Sequence, residues 1–360
     1  MRRRVYPWCC TVDSPAAWKV GVFLNGRIPR IAVDAMGGDH APEEIVAGAA
    51  LAAREGFGRM LVVGDRAQIA PLLAEHGDER LELMHAPEAV PMDANPAQAV
   101  RNSGATSLGV AIDLVRDGNA DAVVSAGNSG AFLAIALVRL RTIPGVARPA
   151  IAVVYPAKFG PVVVLDSGAN VDCRPEWLAQ FGVMGSAYAR AVLGIAAPKV
   201  AIISVGEERN KGNAQTIEAA RLLDAAPVNF IGNAEGKDVL VNLADVFVTD
   251  GFVGNVMLKL CEGAGVLITD IVVAEVKSSG PREKIGAWLV RPALRRVRAK
   301  LSYETYGGAP LLGLRGNCIV AHGRANRTAV RSAIRAAVAE AREDVVGRIG
   351  ELVRPLECVE

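Results

Sequence analysis

The 360-residue chain has little net charge: 40 basic and 38 acidic residues leave a formal charge of +2. Nucleic-acid proteins usually show a strong basic excess, so nucleic acid is not an expected partner. Long apolar runs are missing as well. The best of them, Gly265 to Val276, is interrupted by Asp270 and Glu275, and no segment reads as a membrane span. The six cysteines (Cys9, Cys10, Cys173, Cys261, Cys318 and Cys358) show no C-x-x-C spacing. That argues for reduced cytosolic thiols and against a disulfide framework or a zinc site. Also absent are G-x-G-x-x-G after the first strand, a Walker A sequence, H-E-x-x-H and G-x-S-x-G. NAD binding and ATP hydrolysis therefore find no support, and neither metal nor cofactor is called for. The stretch Gly206 to Gly212 resembles a P-loop only superficially, because its lysine precedes the glycine and no Ser or Thr follows.

With 51% hydrophobic and 22% charged residues the chain is globular, and it is long enough for one extended α/β unit or two lobes. Residues 1–29 carry Arg2, Arg3 and Arg4 and then Trp, Cys and Pro without helical or strand period. The apolar stretch Val20 to Leu24 is too short for a signal peptide, so 1–29 reads as a disordered or loosely attached extension to a domain covering 30–360. From Ile31 onward strand-like and helix-like runs alternate. Strands are predicted at Ile31–Asp34, Met60–Gly64, Leu81–His85, Asp121–Ser125, Ala150–Val154, Val162–Leu165, Val200–Ile203, Asn229–Ile231 and Val246–Thr249. These are continuous apolar runs rather than alternating ones, as in parallel strands covered on both faces, so the fold class is α/β. A helix is predicted over Pro42 to Glu55, another over Ala214 to Ala226, a long one from Gly251 to about Lys277, and a single closing helix over Ala325 to Leu352.

The chemistry gathers where these strands end. Ser204-Val-Gly-Glu-Glu-Arg-Asn-Lys-Gly-Asn213 places Lys211 between a strand and a helix, with Glu208, Gly212 and Asn213 around it. Ligands collect at such loops in open α/β sheets, and an ammonium beside the free N–H groups of a helix start suits an anion. Six other strand ends carry Gly, Asn and Asp in the same way. They contain Asp34, Gly37, Gly38, Asp39 and His40; Asn128 and Ser129; Asp166 and Asn170; Asn233; Asp250, Gly251, Gly254 and Asn255; and His322 to Asn326. Taken singly, Asp34 to His40 reads as a tight turn, Ser125 to Gly130 as a turn with Asn128 or Ser129 capping the next helix, and Asp250 to Asn255 as a glycine-eased packing contact. Seven along a single edge suggest a cleft built for phosphate, in which the Asn255 amide is able to reach a reacting oxygen. His40 reads equally well as a capping residue or a proton carrier, and His76 and His85 as structural.

Between Pro281 and Leu301 the segment turns basic, with Arg282, Lys284, Arg291, Arg295, Arg296, Arg298 and Lys300 against Glu283 alone. Ile285, Trp288, Leu289, Leu294, Val297 and Leu301 recur at three- and four-residue steps, making it amphipathic, with a kink predicted at Pro292. Two uses stay open. One is a helical arm packed on its own protein or a second subunit; the other is an arm that receives an acidic protein or lies on anionic lipid.

Assembled, these segments resemble the phosphate acyltransferases of the PlsX type. The resemblance is carried by Ile31 to Pro42 (IAVDAMGGDHAP), Ser125 to Ala131 (SAGNSGA), Leu165 to Asp172 (LDSGANVD), Gly206 to Asn213, Phe230 to Asn233, Val248 to Val256 and Tyr306 to Leu314 (YGGAPLLGL). It implies a Rossmann-like α/β/α sandwich with a mostly parallel sheet, related to phosphate acetyltransferases. It also implies a homodimer and a projecting helical hairpin, placed at about 263–301. The implied reaction moves a fatty acyl group from acyl-acyl carrier protein to inorganic phosphate, giving acyl phosphate for phospholipid synthesis. The enzyme would be cytoplasmic, or peripheral on the inner face of the cell membrane, and linked to a membrane glycerol-3-phosphate acyltransferase. Lys211 and Asn255 match the family's reacting lysine and asparagine. Trp288, Leu289, Arg291, Arg295, Arg296 and Arg298 become carrier-protein or membrane contacts. The family has no counterpart of 1–29, and Ser167 stands where it usually has valine. The rival readings are a coenzyme A-dependent phosphate acetyltransferase-like enzyme and a non-catalytic scaffold for lipid-synthesis enzymes.

Overall fold

A computed structural model describes residues 26–301 and 307–354, with side chains as far as residue 297 in the first stretch. The chain opens with β1 (Arg30–Asp34), α1 (Glu43–Arg54), β2 (Arg59–Gly64), α2 (Arg66–His76), β3 (Leu81–His85), α3 (Pro96–Asn102), α4 (Ser107–Arg116), β4 (Ala122–Ser125) and α5 (Ser129–Leu140). It continues through β5 (Ala150–Ile151), β6 (Val153–Ala157), β7 (Gly160–Leu165), α6 (Pro175–Ala191), β8 (Lys199–Ile203), α7 (Ala214–Ala225), β9 (Asn229–Ala234), α8 (Gly236–Val239) and β10 (Val246–Val248). The remainder is α9 (Gly251–Ser278), α10 (Pro281–Leu301), β11 (Ala309–Leu312), β12 (Asn317–Val320), α11 (Arg327–Arg342) and α12 (Val345–Val353).

The strands form two sheets, ordered β3-β2-β1-β4-β12-β11-β5 and β6-β7-β10-β8-β9. Pairing is parallel except for β11 with β12 and β5, and β6 with β7. Both faces of each sheet are covered. Ile31, Val33, Ile319 and Ile334 pack on one side of the first sheet, and Ala32, Val123, Ile112 and Phe132 on the other. Val163, Val200, Val246 and Phe181 pack on one side of the second sheet, and Val164, Ala201 and Phe247 on the other. Two-sided burial explains why these strands read as unbroken apolar runs.

Three readings of the sequence need correction. The run Ala150–Val154 is not one strand: it divides at Ala152, whose N–H donates to the Pro310 carbonyl at 2.8 Å. β5 then pairs in the first sheet and β6 in the second, so the chain changes sheets inside an apolar run. Consequently the seven glycine-rich turns do not share one edge. Those after β1, β4 and β12 belong to the first sheet, and those after β7, β8, β9 and β10 to the second. The single closing helix is also two helices. Asp344 adopts the left-handed conformation (φ 48°), which Asp tolerates, and its carboxylate accepts from the Gly347 N–H at 3.2 Å to cap α12. Strands β11 and β12 lie outside the strands predicted from sequence.

The predicted extension falls mostly on residues 1–25, outside the described residues. Of its last four, Arg27 pairs with Asp121, and the Pro29 carbonyl accepts from the Arg59 N–H at 2.8 Å. Helices α9 and α10 follow one another across Ser279 and Gly280, where the sequence placed a hairpin. They expose Val266, Leu267 and Ile271 on α9, and Trp288 (68%) and Leu289 (65%) on α10. Arg291, Arg295 and Arg296 are exposed too, while the side chain of Arg298 lies outside the described ones.

One buried acid makes stability depend on pH. Glu340 on α11 is 1% exposed, its Oε1 lacks a hydrogen-bond partner among the described residues, and burial raises its pKa well above the ordinary glutamate value. The folded state therefore holds this proton more tightly than the unfolded chain, where the carboxyl has its ordinary pKa of 4.5. Its contribution is fully present below that value and is lost as pH rises toward the folded pKa. Thermal melts between pH 5 and 8 are expected to fall more steeply for the wild type than for Glu340→Gln. Parallel profiles would mean that Glu340 is not held protonated.

Candidate active site

At the carboxyl edge of the second sheet, β7, β10, β8 and β9 lie side by side, and their turns converge. The turn after β7 is organised by Asp166, which is fully buried. Its carboxylate accepts from Ile151 N (2.9 Å), Gly168 N (3.2 Å), Ala169 N (3.1 Å), Asn170 N (2.6 Å) and Asn170 Nδ2 (2.9 Å). Burial raises the Asp166 pKa, and these N–H groups pull it back. Because Ile151 belongs to β5, the same carboxylate also joins the two sheets.

Helix α9 starts directly against this turn. A Cβ on Gly254 would lie 1.9 Å from the Asp166 carbonyl oxygen, and one on Gly251 would lie 2.6 Å from the Asn170 carbonyl oxygen. Glycine at both positions is thus a requirement of close approach. Asp250 caps the helix by accepting from Val253 N at 2.8 Å. Asn255 follows one turn later, exposed, with its side chain over Gly168 at 3.8 Å or more from a Cβ built there. Its amide has no hydrogen-bond partner among the described residues.

The turn after β8 carries Lys211. Its alkyl stem packs over Gly206, its carbonyl accepts from Ser204 Oγ at 2.9 Å, and its backbone N–H donates to the Glu208 carbonyl at 3.0 Å. The exposed ammonium makes no ion pair among the described residues. Gly212 then takes φ +121°, and Asn213 caps α7 by accepting from Thr216 N at 2.8 Å. Between the α7 and α9 starts lies a cavity of about 260 Å³, with Ser204, Asn213, Thr216, Thr249 and Asp250 among its polar wall and Leu178 among its apolar wall. Lys211 precedes one wall segment and Asn255 follows another. Neither is among the residues that line the cavity, and each stands within two positions of one that does, Gly212 and Val253.

Several predicted phosphate contacts have their polar groups committed to the protein. Asn170 Nδ2 donates to Asp166 and to the Pro149 carbonyl (2.8 Å), and Asn233 Nδ2 donates to the carbonyls of Glu208 (2.7 Å) and Lys211 (3.2 Å). In the first sheet, Asn128 caps α5 and donates to the carbonyls of Met92 (2.8 Å) and Ala94 (3.1 Å). Asp34 is buried, accepts from Ser125 Oγ at 2.6 Å, and has its pKa raised by burial. Gly37 and Gly38 let this turn approach the next: a Cβ on Gly37 would meet Gly127 N at 2.8 Å, and Gly38 takes φ +113°. The Asp39 N–H donates to the Gly323 carbonyl at 2.8 Å. Asp39, His40, Ser129 and Glu208 are exposed. Ser204, Thr216 and Thr249 were not singled out from sequence. Ser204 carried a signal as the first residue after β8 and Thr249 as a member of the Val248 to Val256 stretch, but Thr216 carried none.

Neither a thiol nor a metal is needed to explain the site. Cys173, beside the α9 start, has its pKa pushed up to about 12 by burial and then by the charge of Asp166, so it is protonated at neutral pH. Glu207, Glu235 and Asp238 bring carboxylate oxygens within 4.8 Å of one another. Lys237 sits among them, bonded to Glu235 and 3.7 Å from Glu207, and Asp238 accepts from Glu235 N at 2.8 Å to box the start of α8. An ion pair and a cap account for this cluster.

Comparison with known proteins decides the family. Residues 29–348 match the family model described as "Fatty acid synthesis protein". The "Phosphate acyltransferase" of Nostoc sp. is 49% identical over 318 residues, covering 87% of this chain and 93% of that protein. The chain belongs to the phosphate acyltransferase family. The protein of the same description from Moorella thermoacetica is 46% identical over 324 residues, covering 90% of this chain and 95% of its own length. Membership makes the chain an acyltransferase of fatty acid and phospholipid synthesis, with an acyl donor and phosphate as substrates. Among solved structures, a phosphotransacetylase from Streptococcus pyogenes matches with TM-score 0.61 at 18% identity, over 87% of this chain and 94% of that one. EutD phosphotransacetylase from Staphylococcus aureus matches with TM-score 0.55, also at 18% identity and with the same coverage. Both share the phosphate acyltransferase's fold, with its mostly parallel sheets.

Proposed function

We propose that the chain transfers a fatty acyl group from acyl-acyl carrier protein to inorganic phosphate, with Lys211 and Asn255 as the catalytic pair. The observation that carries this reading is a pair of polar groups, the Lys211 ammonium and the Asn255 amide, without partners among the described residues and each within two positions of a residue that lines one cavity. A phosphate oxygen attacks the thioester carbonyl carbon, the carbonyl oxygen becomes negative, and the C–S bond then breaks. The products are acyl phosphate and the carrier thiolate, which takes a proton from solvent. Phosphate is already an anion and a thioester is an activated acyl group, so no strong general base is required. What the reaction needs is positive charge and aimed donors near two developing or resident anions, which Lys211 and Asn255 supply. The direct test is phosphate-dependent release of carrier thiol from a long-chain acyl-acyl carrier protein, with hydroxylamine trapping of acyl phosphate. Release only from coenzyme A thioesters would favour the acetyltransferase-like alternative.

The enzyme acts as a homodimer in the cytoplasm and hands its product to a membrane glycerol-3-phosphate acyltransferase. No helix among the described residues is long and apolar enough to cross a membrane, so contact with lipid is peripheral, through Trp288 and Leu289. Arg291, Arg295 and Arg296 on α10 steer in the acidic carrier protein. Reversing all three to Glu is expected to lower kcat/KM for the carrier-linked donor about tenfold or more at low salt and to flatten its salt dependence. Turnover of a coenzyme A thioester should be unaffected. Unchanged salt dependence with the carrier-linked donor would remove these arginines from docking.

A further inference from the structure

The side chain of Asn233 reaches the lysine turn because of an irregularity in β9. Strands β8 and β9 pair Val200 with Phe230, but the next pair is Ile202 with Asn233, so β9 spends one residue more than β8 over the same length. The extra residue lies at Ile231-Gly232, where Gly232 takes φ +106°. Side chains on a strand alternate, so Phe230 and Asn233, three apart, should point to opposite faces. The bulge cancels that difference. Phe230 packs with Val200 and Ile202 in the core cluster that contains α6 and α7 residues, and Asn233, opposite Ile202, is brought to the same face. The lysine turn runs from β8 into α7 on that face.

Asn233 is 7% exposed, and its Nδ2 donates to the carbonyls of both Glu208 (2.7 Å) and Lys211 (3.2 Å). Ser204 Oγ donates to the same Lys211 carbonyl at 2.9 Å. The backbone of Lys211 is thus held by side chains from the ends of two neighbouring strands. Bulges are known to re-aim a side chain next to active sites. A turn of exposed residues that positions an exposed ammonium otherwise has little to fix it.

We infer that the Gly232 bulge and Asn233 form a clamp that positions Lys211 for phosphate, so that Asn233 is a positioning residue and not a phosphate ligand. The inference rests on the proposed role of Lys211. Two donors and one geometry are required of residue 233. Asn233→Asp keeps the shape but has no N–H to give, whereas Asn233→Gln keeps both donors on a longer arm. Gly232→Ala alters no residue of the lysine turn itself and has no heavy atom within 4 Å of the added Cβ. It nevertheless disfavours the positive φ on which the bulge depends.

The test measures phosphate-dependent turnover and amide hydrogen exchange over residues 205–212 in the full-length enzyme. It compares wild type, Asn233→Asp, Asn233→Gln, Gly232→Ala, Lys211→Ala and the Lys211→Ala/Asn233→Asp double variant. Loss of positioning should lower kcat about ten- to a hundredfold in Asn233→Asp and in Gly232→Ala, speed exchange in the turn, and leave the remainder of the exchange map unchanged. Asn233→Gln should recover part of the loss. In the Lys211→Ala background Asn233→Asp should have no further effect, because there is no longer an ammonium to misplace. Additive losses, or slow exchange with normal turnover in Asn233→Asp, would overturn the clamp. Near-normal turnover in Lys211→Ala would instead overturn the assignment of Lys211, and with it the purpose of the clamp, whatever the exchange data show.

Discussion

Lys211→Ala is expected to lower turnover at least a hundredfold while the protein remains folded. Its ammonium has no partner among the described residues, so removing it breaks no ion pair, and its carbonyl and N–H contacts belong to the backbone and survive the substitution. The loss is then almost wholly one of transition-state stabilisation. Removing a single donor from an oxyanion site typically costs about 2.7–4 kcal/mol, or roughly a hundred- to a thousandfold in rate. In its proposed role Lys211 faces both phosphate and the oxyanion, which puts the expected loss at the upper end. Thiol release under saturating phosphate, together with an unchanged thermal melt, checks the prediction. Turnover within about tenfold of wild type would remove Lys211 from the chemistry.

Asp166→Ala is expected to act through stability first. The carboxylate is the shared acceptor for the N–H groups of Ile151, Gly168, Ala169 and Asn170 and for the Asn170 amide. Its removal leaves these donors to find other partners in a partly buried turn, at about 1–3 kcal/mol for each that fails. Even two such failures are a large fraction of a typical total stability of about 5–15 kcal/mol. Denaturant titration should show a midpoint lowered by several kcal/mol equivalent, or no cooperative transition at all. Any folded fraction should also turn over slowly, because the first turn of α9, with Asn255, rests on the Asp166 turn through Gly251 and Gly254. A midpoint near that of the wild type would mean that water replaces the carboxylate readily.

Much of this site could be read before its geometry was known. Asn128 stands at a helix start, and its role as a cap follows from residue type and the apolar run that comes next, whereas Asn213 and Asp250, expected as phosphate contacts, turn out to cap α7 and α9 in the same way. The strand that precedes Lys211 and the helix that follows it are within a residue of their predicted bounds, because periodicity and glycine punctuation are local signals. The fate of Asn170 and Asn233 was not legible. An asparagine at a strand end is equally able to face a ligand or a neighbouring carbonyl, and only the approach of Pro149, Glu208 and Lys211 decides between them. The same holds for the break at Ala152, where nothing in Ala-Ile-Ala-Val-Val distinguishes one strand from two that pair with different partners.

The sequence by itself determined the α/β class and the membership in a phosphate acyltransferase family, since each is carried by short stretches whose residue types speak for themselves. Tertiary structure alone decided that the glycine-rich turns divide between two sheets, and that the segments carrying Lys211 and Asn255 follow adjacent strands, β8 and β10. It also decided that a single extra residue at Gly232 turns Asn233 toward the lysine. These outcomes depend on pairing between residues far apart in the chain, where a shift of one position reverses the face a side chain occupies.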